Sequence, residues 1–210
     1  MKRSVKEWGI RIVLLFIGLV IAHLGVTMFV ISELGSDTFT VFVQGMANII
    51  GISLGTMHVI TLCIFTVLML LFAKGYIMIG SVVCATCGGW IIDFFVWIFN
   101  GNISANSDMW IRIVTMLLGV IILSAGMSLV IKSDAGTGPN DLVAIIITDK
   151  LKKFQFRTVR IGCDIFFTAC GFLLGATIGI GTVAALLLVG PTVQWFMPKS
   201  EKIVAVIVGK

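Results

Sequence analysis

Ionisable side chains inside apolar segments are the first residues in this sequence that could do chemistry. Asp93 and Asp164 each lie in a run of hydrocarbon side chains, and His23 lies near the middle of another. Ionisable groups are costly at membrane depth and normally face a bundle interior or a substrate pathway. The two acids are therefore candidates for substrate binding. His23 is a candidate proton relay, because imidazole titrates near neutral pH.

Each of these residues also has an explanation that needs no function. Arg160 precedes Asp164 by four residues, so the two could form an i,i+4 ion pair on one helix face. Asp93 corresponds to Gln194 in the internal repeat given below. These two could be polar groups near a twofold axis, or they could snorkel to the membrane interface. His23 could simply hydrogen-bond to a neighbouring helix.

A second set of candidates lies in two polar, glycine-rich stretches between apolar runs, SELGSDTFT at 32–40 and SDAGTGPND at 133–141. Glycine permits unusual backbone angles, proline suits a first helical turn, and an acid there complements the helix dipole. Each stretch therefore predicts a turn followed by a short helix. If that helix begins inside the protein, its free N–H groups and the glycine backbone would line a ligand cavity. The binding candidates are Gly35, Asp37, Gly136, Gly138, Asn140 and Asp141, with Gln44 on the first short helix, which could instead face lipid headgroups.

The elements that must position these residues are membrane helices. The chain has 210 residues, 59% apolar and 12% charged, with a mean hydropathy of +1.13. This composition predicts an all-α polytopic membrane protein and a single membrane domain over 1–210. Two segments, 38–50 and 139–151, are too short for a bilayer core of ~30 Å at ~1.5 Å per residue. Six apolar runs reach or approach the ~20 residues needed to cross it: 10–31, 57–71, 77–99, 111–131, 159–174 and 178–197.

The two halves of the chain are related by an internal repeat with an offset of 101 residues, covering 9–99 and 110–200. Nine of the 26 pairs between 10–35 and 111–136 are identical. Each half has three long helices and one short helix. Four crossings per half would make the repeats parallel, whereas three would invert them.

The Lys and Arg distribution favours inversion. Five basic residues lie in the last turn of the second short helix or after it, and none lies at this place in the first half. The amino terminus has four, Lys2, Arg3, Lys6 and Arg11, against Arg112 alone in the second half. Corresponding loops of inverted repeats lie on opposite sides, where the positive-inside rule separates their charges. This interpretation puts both termini in the cytoplasm.

Other classes of protein fit the sequence less well. The first apolar run lacks a small-x-small exit, which favours an uncleaved helix over a secretory signal. The excess of basic residues is typical of cytoplasmic loops, and no basic patch with interleaved aromatics predicts nucleic-acid binding. Cys84 and Cys87 are spaced like half a zinc site, but packing is the favoured explanation. We therefore expect no metal and no cofactor.

Several motifs resemble the YczE/YyaS/YitT family of bacterial membrane proteins, and its YczE branch most closely. They are Gly136-Thr137-Gly138-Pro139-Asn140-Asp141, Ile178-Gly179-Ile180-Gly181-Thr182, and Gly190-Pro191 with Gln194. In the first half, Leu34-Gly35, Ile79-Gly80-Ser81 and Asp93 also match. Thr38 and Thr40 replace the family's usual Pro and Asp. The resemblance implies this fold and a location in the bacterial cytoplasmic membrane, without a substrate.

Inverted repeats with short helices are a recurrent plan of secondary transporters. We therefore expect a small-molecule carrier in contact with membrane lipid. The alternative is a non-transporting accessory or a substrate-binding subunit that needs a partner membrane protein, and a homodimer is also compatible with the sequence. An enzyme is the least favoured class, because no nucleophile–base pair or metal motif is assembled.

Overall fold

The computed structural model describes residues 4–99, 107–154 and 156–209, and this part of the chain forms helices and no strand. The all-α fold class is therefore confirmed. Lys2 and Arg3 of the amino-terminal basic cluster lie outside the described residues. In chain order the helices are α1 (Val5–Ser32), α2 (Thr38–Ile50), α3 (Leu54–Phe72), α4 (Ile79–Phe99), α5 (Met109–Ser133), α6 (Pro139–Leu151), α7 (Phe156–Leu173) and α8 (Ile180–Val208).

Five of the six predicted crossings form helices that are long and apolar enough to span a membrane: α1, α3, α4, α5 and α8. The sixth, α7, has 18 residues but includes Arg157, Arg160 and Asp164. Because of these three charged residues, α7 is not among the helices that length and composition identify as candidate membrane spans. The two short helices have the predicted bounds, 38–50 and 139–151.

Local sequence explains where the first three helices begin. The side chains of Ser4, Asp37 and Ser53 each accept a hydrogen bond from a backbone N–H in the first turn of the following helix. Such caps satisfy donors that have no partner within the helix. In the second half, α6 begins with Pro139, whose missing N–H costs nothing at that position.

The helices that open the two halves, α1 and α5, pack closely and run antiparallel. Gly18 lies against Gly126, and Gly25 lies against Gly119. A Cβ added to Gly18 would lie 2.9 Å from the backbone nitrogen of Val130, so no larger residue fits this approach. The core beside this contact contains Phe29, Ile92, Val120 and Leu123.

Two arginines at corresponding positions hold the carboxyl ends of these helices. Arg112 donates from Nε to the carbonyl of Ser32, over 2.8 Å. Arg11 donates from Nη1 to the carbonyl of Ser133, also over 2.8 Å. Both pairs are related by the offset of 101 residues. Carbonyls at a helix end lack partners within the helix, so each arginine supplies the missing donor for the other half.

The segments that follow these helix ends, which we call the first hinge (33–37) and the second hinge (134–138), also bind the opposite half. The Gly181 N–H at the start of α8 donates to the Leu34 carbonyl over 2.7 Å. The Gly80 N–H at the start of α4 donates to the Ala135 carbonyl over 2.9 Å. These contacts again correspond at an offset of 101 residues and position the starts of α2 and α6.

The short helix α2 lies along α7 and points in the same direction. It begins beside Asp164, the ninth residue of the 18-residue α7, and therefore starts at the level of the middle of that helix. The contacts that fix this placement pair Thr38 with Asp164, Gly45 with Gly171, and Asn48 with Gly175.

Candidate functional site

The starts of the two short helices meet at a polar cluster on α7. Arg160 binds Asp141 on α6 through Nη1 and Oδ1, 2.5 Å apart, and Asp164 through Nε and Oδ2, 3.4 Å apart. Thr38, the first residue of α2, donates from Oγ1 to the other oxygen of Asp164 over 2.6 Å. We call Thr38, Asp141, Arg160 and Asp164 the Arg160 cluster. Its polar contacts join α2, α6 and α7.

The Arg160 cluster is partly accessible rather than sealed. The side chain of Arg160 is 32% exposed, and those of Asp141 and Asp164 are 18% and 17% exposed. The two carboxylates share one guanidinium, which is planar and can bind two carboxylates at once. The i,i+4 pair of Arg160 and Asp164 expected from the sequence is present, but it is one side of a contact between three helices.

A third carboxylate, Asp37, lies next to this cluster in the chain and caps α2. Its Oδ1 accepts from the Thr40 N–H over 3.2 Å, and Ser36 donates to its Oδ2 over 3.5 Å. The dipole of a helix start stabilises a carboxylate there, and Asp141 has the same relation to α6. The cluster and Asp37 together bring three carboxylates and one guanidinium to the starts of the two short helices.

The hinge glycines are explained by backbone packing. Gly35 has a φ of 98°, and a Cβ there would lie 2.7 Å from the Gly179 nitrogen. Gly136 has a φ of 140°, and its Cβ would lie 2.6 Å from the Ser81 nitrogen. Both positions require glycine because the starts of α8 and α4 approach the hinges. The two glycines therefore support the helix contacts rather than line an open cavity.

The remaining hinge candidates bond locally. Gly138 is the residue before α6, and its carbonyl accepts from the Asp141 N–H over 3.0 Å. The amide nitrogen of Asn140 donates to Asp141 Oδ1 over 3.3 Å. Thr137 N–H lies 3.4 Å from Ser81 Oγ on α4. Asn140 thus supports the orientation of Asp141, which is the residue that enters the cluster.

Asp93 and Gln194 lie apart from the Arg160 cluster in the bonds they make. Asp93 accepts from Ser53 Oγ over 2.5 Å and from the Gly55 N–H over 2.8 Å, so it holds the start of α3. Gln194 is exposed on α8, and no hydrogen bond joins it to Asp93 in the described part of the chain. The role of Asp93 depends on a contact 40 residues away in sequence, and no local pattern indicates it.

Gln44 connects α2 to the segment before α8. Its Oε1 accepts from the Thr177 N–H over 3.2 Å, one turn away from the bond between Asn48 and the Gly175 carbonyl. The two amides, spaced i and i+4, bind backbone groups of the same segment. Gln44 therefore fixes the placement of α2.

His23 has a partner that the sequence interpretation missed. His58 on α3 lies with its ring centroid 5.4 Å from that of His23, at an interplanar angle of 79°. Both side chains are buried, with 8% and 6% exposure. The signal available in the sequence is that the chain contains two histidines and both fall in apolar helices.

An apolar cavity of about 740 Å³ lies between α3, α6 and α7. The repeat relates the pair α6 and α3 to the pair α2 and α7. In the second pair, Gly45 of α2 meets Gly171 of α7 and the two helices are in close contact. The residues 101 positions away from these glycines are Ile146, which lines the cavity, and Leu70. The close glycine contact of α2 with α7 therefore has no glycine counterpart between α6 and α3.

The side chains that could bind a metal ion do not cluster in the described ranges. No group of three or more His, Cys, Asp or Glu side chains is arranged there to hold a metal ion. Cys84 is buried in the core with Leu15, Leu19 and Val130, which is a packing environment. Its neighbour Cys87 packs against the same core.

Comparison with known proteins agrees with this architecture. The chain is 26% identical over 196 residues to the "Uncharacterized membrane protein YczE" of Bacillus subtilis (strain 168), covering 93% of this chain and 89% of that protein. It is 24% identical over 186 residues to the "Uncharacterized protein YyaS" of the same organism, covering 89% and 92% of the two chains. An uncharacterized protein of Haemophilus influenzae is 26% identical over 184 residues, 88% of this chain and 82% of that one.

No solved structure is significantly similar to this chain. A model of the family of unknown function DUF6198 matches residues 9–198, which include every helix start discussed above except that of α1. The relatives and the match together support the predicted resemblance to YczE and YyaS. The chain is a multi-pass membrane protein and belongs to the DUF6198 family.

Proposed function

We propose that this protein is a secondary carrier of a small polar molecule in the bacterial cytoplasmic membrane, built from two inverted repeats. The observation that carries the proposal is the meeting of both short helices at the Arg160 cluster. Carrier sites of this type lie where short or interrupted helices of two repeats begin near the bilayer midplane.

The contacts between α1 and α5 support the inverted arrangement. Gly18 meets Gly126 and Gly25 meets Gly119, so a rotation that exchanges the two helices also reverses their direction. The reciprocal bonds of Arg11 and Arg112 follow the same rule. Parallel repeats would instead place corresponding helix ends on one side of the protein.

The polar cluster supports a binding role because Asp164 lies halfway along α7, which crosses the membrane in the proposed arrangement. Ionisable groups at membrane depth are rare unless they pair or line a pathway. Here one guanidinium is shared by carboxylates from α6 and α7, and α2 is joined through a hydroxyl. A ligand that competes for Arg160 or for either carboxylate would release contacts between α2, α6 and α7. Ligand binding would then be coupled to the relative positions of the short helices.

The experiment is uptake into proteoliposomes containing the purified full-length protein. A panel of labelled amino acids, organic cations, carboxylates and nucleosides is tested with and without a proton gradient. For a transported compound, Arg160→Gln and Asp164→Asn should reduce the initial rate by at least about tenfold, the equivalent of ~1.4 kcal/mol. Lys153→Gln, which removes a cation beyond the end of α6, is the matched control and should retain the wild-type rate.

The accessory-subunit alternative gives a different result in the same preparation. A carrier should be isolated in mild detergent as a monomer or homodimer and should move at least one compound of the panel. No uptake across the panel, together with a stoichiometric partner protein in the detergent extract, would contradict the proposal and favour the accessory role.

A further inference from the structure

The two histidines of this chain meet in its core although they are 35 positions apart in sequence. His23 Nδ1 lies 2.8 Å from the carbonyl oxygen of Leu19. A carbonyl can only accept, so Nδ1 of His23 carries a proton and donates it. In neutral His23 the other ring nitrogen, Nε2, is therefore a free acceptor.

Both Nε2 atoms point to the same place on α4. A Cβ built on Gly88 would lie 2.7 Å from His23 Nε2 and 3.5 Å from His58 Nε2. The separation of the two nitrogens therefore cannot exceed the sum of these distances. A side chain larger than glycine at position 88 would displace the His23 ring from this position. Gly88 thus leaves a small space that both imidazoles face.

His58 is incompletely satisfied in this position. Its Nδ1 is buried and has no hydrogen-bond partner in the described part of the chain. A buried polar atom without a partner is costly, so such an atom needs an explanation. The neighbours Phe39 and Gly88 have no polar side-chain group that could bond this nitrogen.

We infer that His23 and His58 form a proton-binding pair, in which the two Nε2 atoms that face Gly88 together bind one proton. When neutral His58 carries its proton on Nδ1, both Nε2 atoms are acceptors, and one bound proton turns them into a donor and an acceptor. A second proton would place two cationic rings with centroids 5.4 Å apart in the core and is therefore excluded near neutral pH.

The groups around the pair allow one added charge but do not supply it. The titratable residues on the neighbouring elements are Cys84, Cys87 and Asp93 on α4, Cys63 on α3, Asp37 two residues before Phe39, and Arg160, Cys163, Asp164 and Cys170 on either side of Phe167 on α7. None of them hydrogen-bonds either imidazole among the residues that the structure describes. The proton is therefore held by the imidazoles themselves, and these charged groups act only at longer range.

Phe39 connects the pair to the Arg160 cluster. Its ring packs edge-on against His58, with centroids 5.4 Å apart, and against Phe167 of α7 at 5.5 Å. A cationic imidazole would bind an aromatic ring more strongly than a neutral one. Phe39 follows Thr38, so protonation would tighten the start of α2 against α3. This coupling to the cluster rests on the proposed function, whereas proton binding by the pair does not.

The test is ¹⁵N NMR of the full-length protein, labelled at histidine and prepared in lipid nanodiscs after removal of any affinity tag. The chain contains two histidines, so each signal is assigned by a single substitution. In the wild type, one proton should be taken up in a step that shifts the ring nitrogens of both residues together. Proton uptake is measured without transport, so the result stands whether or not the proposed carrier function holds.

Substitutions of one member decide whether the proton is shared. His58→Phe keeps a ring but removes both nitrogens, and it should lower the titration midpoint of His23 by about one pH unit, the size of coupling expected for an interacting pair. His58→Gln restores an acceptor and should recover part of this shift. An unchanged His23 midpoint in folded His58→Phe would overturn the inference.

Gly88→Ala provides a second route if His58→Phe does not fold. It retains both histidines and places a methyl group in the space between them, so the joint titration should separate into two independent steps. Gly9→Ala is the matched control, because nothing lies within 4 Å of a Cβ at that position. Two imidazoles that still titrate together in Gly88→Ala would contradict the placement of the proton beside Gly88.

Discussion

At the scale of single residues, the arginines at positions 11 and 112 have equivalent structural roles. Each donates to carbonyls at the end of the helix that opens the other half, and Arg112 bonds both Ser32 and Glu33. We expect Arg112→Gln to lower the free energy of unfolding by about 2 kcal/mol, since hydrogen bonds from a charged donor contribute about 1.5–3 kcal/mol. Thermal unfolding of purified protein in detergent measures this effect.

Lys153→Gln is the control for the Arg112 substitution, because it removes a charge at an exposed position beyond α6. It should leave the unfolding midpoint within error of the wild type. Equal midpoints for Arg112→Gln and Lys153→Gln would show that the carbonyls of Ser32 and Glu33 do not need the guanidinium.

Residue roles were predicted from the sequence only where the partner is close in the chain. The pairing of Asp164 with Arg160 follows from their i,i+4 spacing. The cap that Asp93 makes on α3 and the contact of His58 with His23 depend on which helices pack together. A single sequence contains no direct signal for such partners, so neither contact is predicted.

At the scale of elements, prediction is accurate for the short helices because their ends have local signals. Asp37 caps α2, Gly51 ends it, and Pro139 begins α6. Both bounds of α2 and the start of α6 follow from these residues. The level at which α2 begins could not be predicted, because it depends on the close approach of Gly45 to Gly171 of α7.

The contact between α1 and α5 gives a prediction at the same scale. Gly25→Ala should destabilise the protein by about 2 kcal/mol, because its Cβ would overlap the backbone of Leu123, and overpacking typically costs 1–3 kcal/mol. Gly9→Ala, on the same helix but without neighbours, should be neutral or slightly stabilising, since alanine has the higher helix propensity. A thermal midpoint of Gly25→Ala at or above that of Gly9→Ala would contradict the close packing.

At the scale of the whole molecule, the decisive property is the direction of the second half relative to the first. If α2 and α6 do not cross, the turn after α2 and the connection between α4 and α5 lie outside, and the segment after α6 lies inside. If both short helices cross, all three lie inside. The excess of basic residues after α6 and their absence after α2 favour the first arrangement.

Single cysteines introduced at Ile52, Asp108 and Lys153, in a background without the five native cysteines, distinguish the two arrangements. We expect a membrane-impermeant maleimide added to intact cells to label positions 52 and 108 and to leave position 153 unlabelled until the cells are opened. Protection of all three positions in intact cells would mean that each half crosses four times. The repeats would then be parallel, and the exchange of shape between equivalent halves on which the proposed carrier mechanism depends would have no structural basis.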